Sequence, residues 1–96
     1  MPDRNLIMDA KQYFTAVWRS EKLAHNSPCF ENVIEKARDL AMLSVTYELN
    51  LSIAEALANR VLTEQTENVE WIKLKLKDLE KQNNKILILI KKLLRT

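Results

Sequence analysis

Glycine is absent from all 96 residues of this chain, and that absence excludes more than any residue present. Hairpin turns, phosphate-cradling loops and dinucleotide-binding fingerprints depend on glycine for positive φ or for close backbone approach. A β-rich fold, a P-loop and a Rossmann site are therefore not expected. Proline is nearly as scarce: Pro2 and Pro28 are the only two, and both stand where a helix could begin. Cys29 is the single cysteine, so no disulfide can form within the chain, which suits a reducing compartment. The longest apolar run is Ile86 to Ile90, far short of the ~20 residues that span a bilayer. The opening residues Met-Pro-Asp-Arg-Asn lack the basic start, apolar core and cleavage site of a signal peptide. The expectation is an all-α cytoplasmic protein of one domain.

What is present supports helices throughout. Apolar residues make up 47% and charged residues 29%, a balance that suits a folded chain over a disordered one. Leu6, Ile7, Ala10, Tyr13, Phe14, Val17 and Trp18 recur at helical spacing and predict a first helix from about Asp3, its cap, to Ala24. His25 to Ser27 is polar, and Ser27-Pro28 reads as an N-cap followed by proline at the first helical position. A second helix carries Phe30, Val33, Ile34, Ala37, Leu40 and Ala41. Its second half adds Met42, Leu43, Val45, Tyr47 and Leu49, is apolar almost all round, and is expected at the centre of the domain. Asn50 reads as a left-handed cap with Leu51 as its hydrophobic contact, and Ser52-x-x-Glu55 as the capping box of a third helix. That helix, beginning its apolar face with Ile53, Leu57 and Val61, is expected to run on to about Arg95 through a weak polar stretch at 63–68.

The last quarter of the sequence holds the clearest pattern. With Val69 at a, the a positions are Val69, Leu76, Asn83 and Ile90, and the d positions are Ile72, Leu79, Ile86 and Leu93. An apolar a/d seam with one isolated asparagine is the pattern of a parallel coiled coil, in which Asn83 would bond its own copy. Lys75 at g and Glu80 at e form an attractive pair in that arrangement. Leu87 and Leu94 at e and Leu89 at g widen the apolar face beyond what a dimer needs.

Lengths set the expected architecture. The first two helices span roughly 33 Å each, whereas a continuous third would span about 64 Å and overhang them from near Leu74. Residues 1–62 form a helical region bracing residues 63–96, an oligomerisation helix of the same domain. Trp71 and Leu74 lie off the seam. They are expected beneath the end of the first helix, around Trp18 and Leu23, or else form a partner-binding spot with Leu87, Leu89 and Leu94.

Catalytic signals are few. His25 and Cys29, four residues apart, are the only nucleophile-and-base pair, with no anion-binding nest beside them. One histidine and one cysteine cannot close a zinc site. Glu31, Glu35 and Asp39 follow at i, i+4 beside Lys36 and Arg38, as on a solvated helix face. No enzyme, metal or cofactor is expected.

Charge is uneven: residues 1–69 hold seven Lys/Arg against ten Asp/Glu, and residues 70–96 hold eight against three. A basic helix end complements the helix dipole, and it also suits an anionic partner. Val45 to Leu62 resembles the helix-turn-helix of DNA-binding regulators, with Val45, Leu49 and Leu51 at its apolar positions and Ser52 opening the would-be recognition helix. Asn50 stands in place of the turn glycine, Asn59 in place of an apolar residue, and Arg60 is that helix's only basic residue. DNA affinity rests on Lys/Arg contacts to phosphate, which this segment lacks. The expectation is a non-enzymatic oligomerising protein-interaction module: a small adaptor, regulator or chaperone-like subunit. Its partners would be itself, as a parallel homodimer or a tetramer, and another protein. The alternative is a dimeric nucleic-acid-binding regulator.

Overall fold

The computed structural model describes the backbone of three helices, α1 (Pro2–Ala24), α2 (Phe30–Thr63) and α3 (Val69–Arg95), and the side chains of residues 5–19, 32–63 and 69–95. Every described residue is helical, so the chain is all-α. The proposed caps Asp3 and Ser27-Pro28, the His25/Cys29 pair and Leu23 fall outside the described side chains.

Each helix is written by a stripe that it buries. On α1 the buried residues are Ile7, Ala10 and Val17, with Leu6, Tyr13 and Phe14 half-buried beside them. On α2 they are Ala37, Leu40, Ser44 and Asn50; on α3 they are Ile72, Leu79, Asn83, Ile86 and Ile90. On α1 and α3 steps of three, four and seven keep the stripe on one face. On α2 Ala37, Leu40 and Ser44 share a face, and Asn50, six residues on, lies with Leu43 and Tyr47 on the neighbouring one. Ala10 and Ala37 are enclosed with no bulk beyond Cβ, which lets α1 and α2 approach closely. Ser and Thr inside the helices return their hydroxyls to the carbonyl four residues back, as Ser44 does to Leu40 at 2.8 Å and Thr46 to Met42 at 2.9 Å.

The helices alternate in direction. Lys11 of α1 pairs with Glu48 of α2, while the Lys36 ammonium lies 4.7 Å from the centre of the Tyr13 ring, so α1 and α2 run antiparallel. Asn50 of α2 bonds Asn83 of α3, and Leu40 packs with Ile86 and Ile90, so α2 and α3 are antiparallel as well. The core gathers where all three overlap: Ile7, Ala10, Leu40, Ile86 and Ile90, flanked by Leu6, Tyr13, Leu43, Tyr47, Leu87, Leu93 and Leu94.

α2 is the spine. Its 34 residues make a rod of about 51 Å, and the molecule measures 59 × 22 × 21 Å. The radius of gyration is 17.3 Å, against about 12.5 Å for a compact domain of this length. α1 lies along the N-terminal part of the spine and α3 along the C-terminal part. Beyond about residue 51, α2 and α3 continue as a two-helix arm.

This corrects the expected boundaries. Asn50, Leu51 and Ser52 lie inside α2, and no described residue has positive φ, so Asn50 is not a left-handed cap and Ser52-x-x-Glu55 starts no helix. Asn50 falls in register with Leu43 and Tyr47, on the side of α2 that meets α3, where its side chain finds a partner. That hydrogen bond offsets the modest helix propensity of asparagine. The long helix is the second one, and α3 folds back along it.

Candidate interaction surface

The heptad seam of α3 faces inward. Ile72, Leu79, Asn83, Ile86 and Ile90 are buried, and Val69, Leu76 and Leu93 are half-buried, all within one chain. The α2 spine and, at the C-terminal end, α1 cover the seam that the sequence assigned to a second copy.

Asn83 has a different partner from the one its pattern suggested. Its Oδ1 accepts a hydrogen bond from Asn50 Nδ2 at 2.9 Å, and its own Nδ2 donates to the Tyr47 carbonyl at 3.3 Å. Asn50 Nδ2 also reaches Gln82 Oε1 at 3.5 Å, and Gln82 Nε2 donates to Asp78 at 2.9 Å. One bond between two buried amides and a second from Asn83 to the α2 backbone fix how α2 and α3 slide past one another, because a shift of one turn would break both.

The leucines at e have a local explanation. Leu87 and Leu94 are half-buried and pack against the core cluster that holds Ile7 and Ala10 of α1. Leu89 at g remains 47% exposed, and Trp71 and Leu74 are 60% and 66% exposed. The expectation that the first helix covers these last two is overturned. Trp18 stands beside Ala37 of α2, whereas the Asn50–Asn83 register places Trp71 level with Leu62, about 38 Å along the spine.

The exposed apolar surface of α2 was concealed by its all-round apolar composition. Leu43 and Tyr47 do join the core, but Met42, Val45, Leu49 and Ile53 are 70%, 65%, 57% and 38% exposed. Their spacing of three, four and four puts them on a single stripe. Successive helical residues diverge by about 100°, so Leu49 and Leu51 leave Asn50 on opposite sides. Leu51 shares a groove with Ile7 and Met8 of α1, which places the Leu49 stripe on the side away from α1. The same argument on α3 sets Asn84, which shares a groove with Leu51, on the α1 side and Leu89 on the other. Antiparallel register then brings Leu89 level with residue 44. Met42, Val45, Leu49, Ile53 and Leu89 therefore form one apolar band along the face of the α2/α3 pair that α1 leaves open. The separate 3-4-4 series was the signal in the sequence that could have exposed it.

The outer face of α3, opposite Asn83, carries Lys77, Lys81, Lys85 and Lys92, all exposed and none paired with a described carboxylate. Val45 to Leu62 lies wholly within α2 as continuous helix, so the helix-turn-helix reading is overturned: there is no turn. Among the described residues no three His, Cys, Asp or Glu side chains gather as metal ligands do. No described helix is long and apolar enough to cross a membrane. Comparison with models of protein families, with curated proteins and with solved structures found no match.

Proposed function

We propose that this chain is a non-enzymatic protein-interaction module, a small adaptor, regulator or chaperone-like subunit of a larger assembly, that binds through the apolar band Met42, Val45, Leu49, Ile53 and Leu89. The observation that carries this reading is the alignment of those exposed side chains on one open face of two packed helices. Exposed apolar residues scattered singly need no explanation, but a contiguous band does. A parallel α3–α3 coil is the less favoured mode of association, since α3 would have to surrender Asn50 and the core to form it. The reading predicts that dilute protein binds a neutral apolar dye such as Nile red. It also predicts that Leu49→Asp with Leu89→Asp removes most of that binding without loss of helical circular dichroism. Dye binding that is absent, or unchanged in the double variant, would contradict it.

A second reading is favoured by the lysine ridge of α3, which runs for about 16 Å from Lys81 through Lys85 to Lys92 without an intervening described acid. It is that of a nucleic-acid-binding regulator using the ridge to track phosphates. Its signature is a steep loss of affinity with salt that weakens when Lys81 and Lys85 become glutamine. Binding that does not change with salt would rule it out.

A further inference from the structure

We infer that the apolar band is covered by a second copy of this chain, with the two α2 helices packed antiparallel about a twofold axis level with Tyr47 and Glu48. This rests on the band being the binding surface, and it names the occupant.

Surface area is the first argument. The chain exposes 7650 Å². A compact monomer of 11.2 kDa exposes about 5,700 Å², so roughly 1,900 Å² is in excess. A standard dimer buries about 800 Å² on each partner, less than half of that excess. A second copy is thus large enough to use the surplus, and a rod can offer it a long, shallow face.

Self-complementarity is the second. A twofold interface pairs a patch with itself, so the patch must match its own reversed image. Rotation about the Tyr47/Glu48 level sets Met42 against Ile53 of the other copy, and Thr46 against Leu49. Met42 and Ile53 thereby meet as apolar pairs, and Leu49 faces Thr46, whose hydroxyl is already bonded to the Met42 carbonyl so that its methyl can serve the contact.

Charge selects the direction. Glu35 and Asp39 flank the N-terminal end of the band, while Arg38 turns into the groove with Phe14 and Trp18. Arg60 lies on the same side at the other end of the band, with Lys75 and Asp78 of α3 beside it. In antiparallel order Glu35 of each copy comes level with Arg60 of its partner; in parallel order Glu35 would face Glu35 and Arg60 would face Arg60.

Sedimentation equilibrium of the full chain tests this. The expected result is a dimer at micromolar concentration. Leu49→Asp, present twice in each dimer, should raise the dissociation constant roughly 100-fold or more, with helical content unchanged. Leu74→Asp, equally exposed but on the outer face of α3, should leave it unmoved. Orientation is read in a Cys29→Ser background: a mixture of Met42→Cys and Ile53→Cys chains should form a disulfide-linked dimer on oxidation, and neither alone should. A monomer at all concentrations, a dimer indifferent to Leu49→Asp, or crosslinking of Met42→Cys with itself would each overturn the inference. If the chain is monomeric, Nile red decides the rest. Dye binding lost in the Leu49→Asp and Leu89→Asp variant leaves the module reading standing with another occupant, and its absence removes both.

Discussion

The two ends of the α2/α3 pair are built from the same two helices, yet only one end has a closed core. Where α1 is present, α2 buries Ala37, Leu40 and Ser44, and α3 buries Ile86 and Ile90. Past Asn50, α2 buries nothing through Thr63, while α3 still buries Ile72 and Leu79 against it. Two helices can cover a narrow seam between them; a third is needed to enclose side chains from all directions. The arm therefore depends on its register being fixed by something other than dense packing, and the buried Asn50–Asn83 pair stands at the junction where α1 runs out.

The contrast can be broken first at the closed end. Leu40→Ala should cost about 2–5 kcal/mol in denaturant unfolding, because Leu40 is wholly enclosed. Leu57→Ala in the arm, where the residue is half-buried, should cost about 1 kcal/mol. Equal costs would mean the arm is as well packed as the core. Next comes the junction. Asn83→Leu should destabilise by about 1–3 kcal/mol, since the buried Asn50 amide then keeps only its 3.5 Å contact to Gln82. Adding Asn50→Leu should recover most of that loss in the same unfolding assay. A single variant more stable than the parent would show that Asn83 does not depend on Asn50. The smallest effect is expected at the arm's surface. Leu62 is 82% exposed, so Leu62→Gln should change stability by no more than about 0.5 kcal/mol. A larger loss would reveal a contact that the single chain does not make.

Much of the fold was legible in the sequence. The lack of glycine and the 3.6-residue stripes gave three helices and the whole of α1, and the seam Val69 to Leu93 is indeed a buried face. Two things were not legible, for physical reasons. Asn50 and Ser52 have the side chains of a cap and a capping box, but local chemistry of that strength yields to a tertiary hydrogen bond such as the one to Asn83. Misplacing the turn then made α3 look as though nothing in its own chain could cover it. An a/d seam specifies that a helix face will be buried; it does not say whether the covering helix belongs to the same chain. The binding surface was hidden for a related cause. Met42, Val45 and Leu49 sit among Leu40, Leu43 and Tyr47, and composition alone merges an outer stripe with an inner one.

Both the arm and the open band depend on α3 burying its seam against its own α2. Disulfide trapping in a Cys29→Ser background addresses that pairing directly. The Asn50–Asn83 register sets Leu57 level with Leu76, both turned toward the partner helix. Oxidation of the Leu57→Cys, Leu76→Cys chain should therefore close a disulfide within one chain, giving a covalent monomer on a non-reducing gel. Leu76→Cys alone should give no covalent dimer. If Leu76→Cys alone links two chains efficiently, the seam pairs α3 with its own copy, and the intrachain α2/α3 pairing is contradicted.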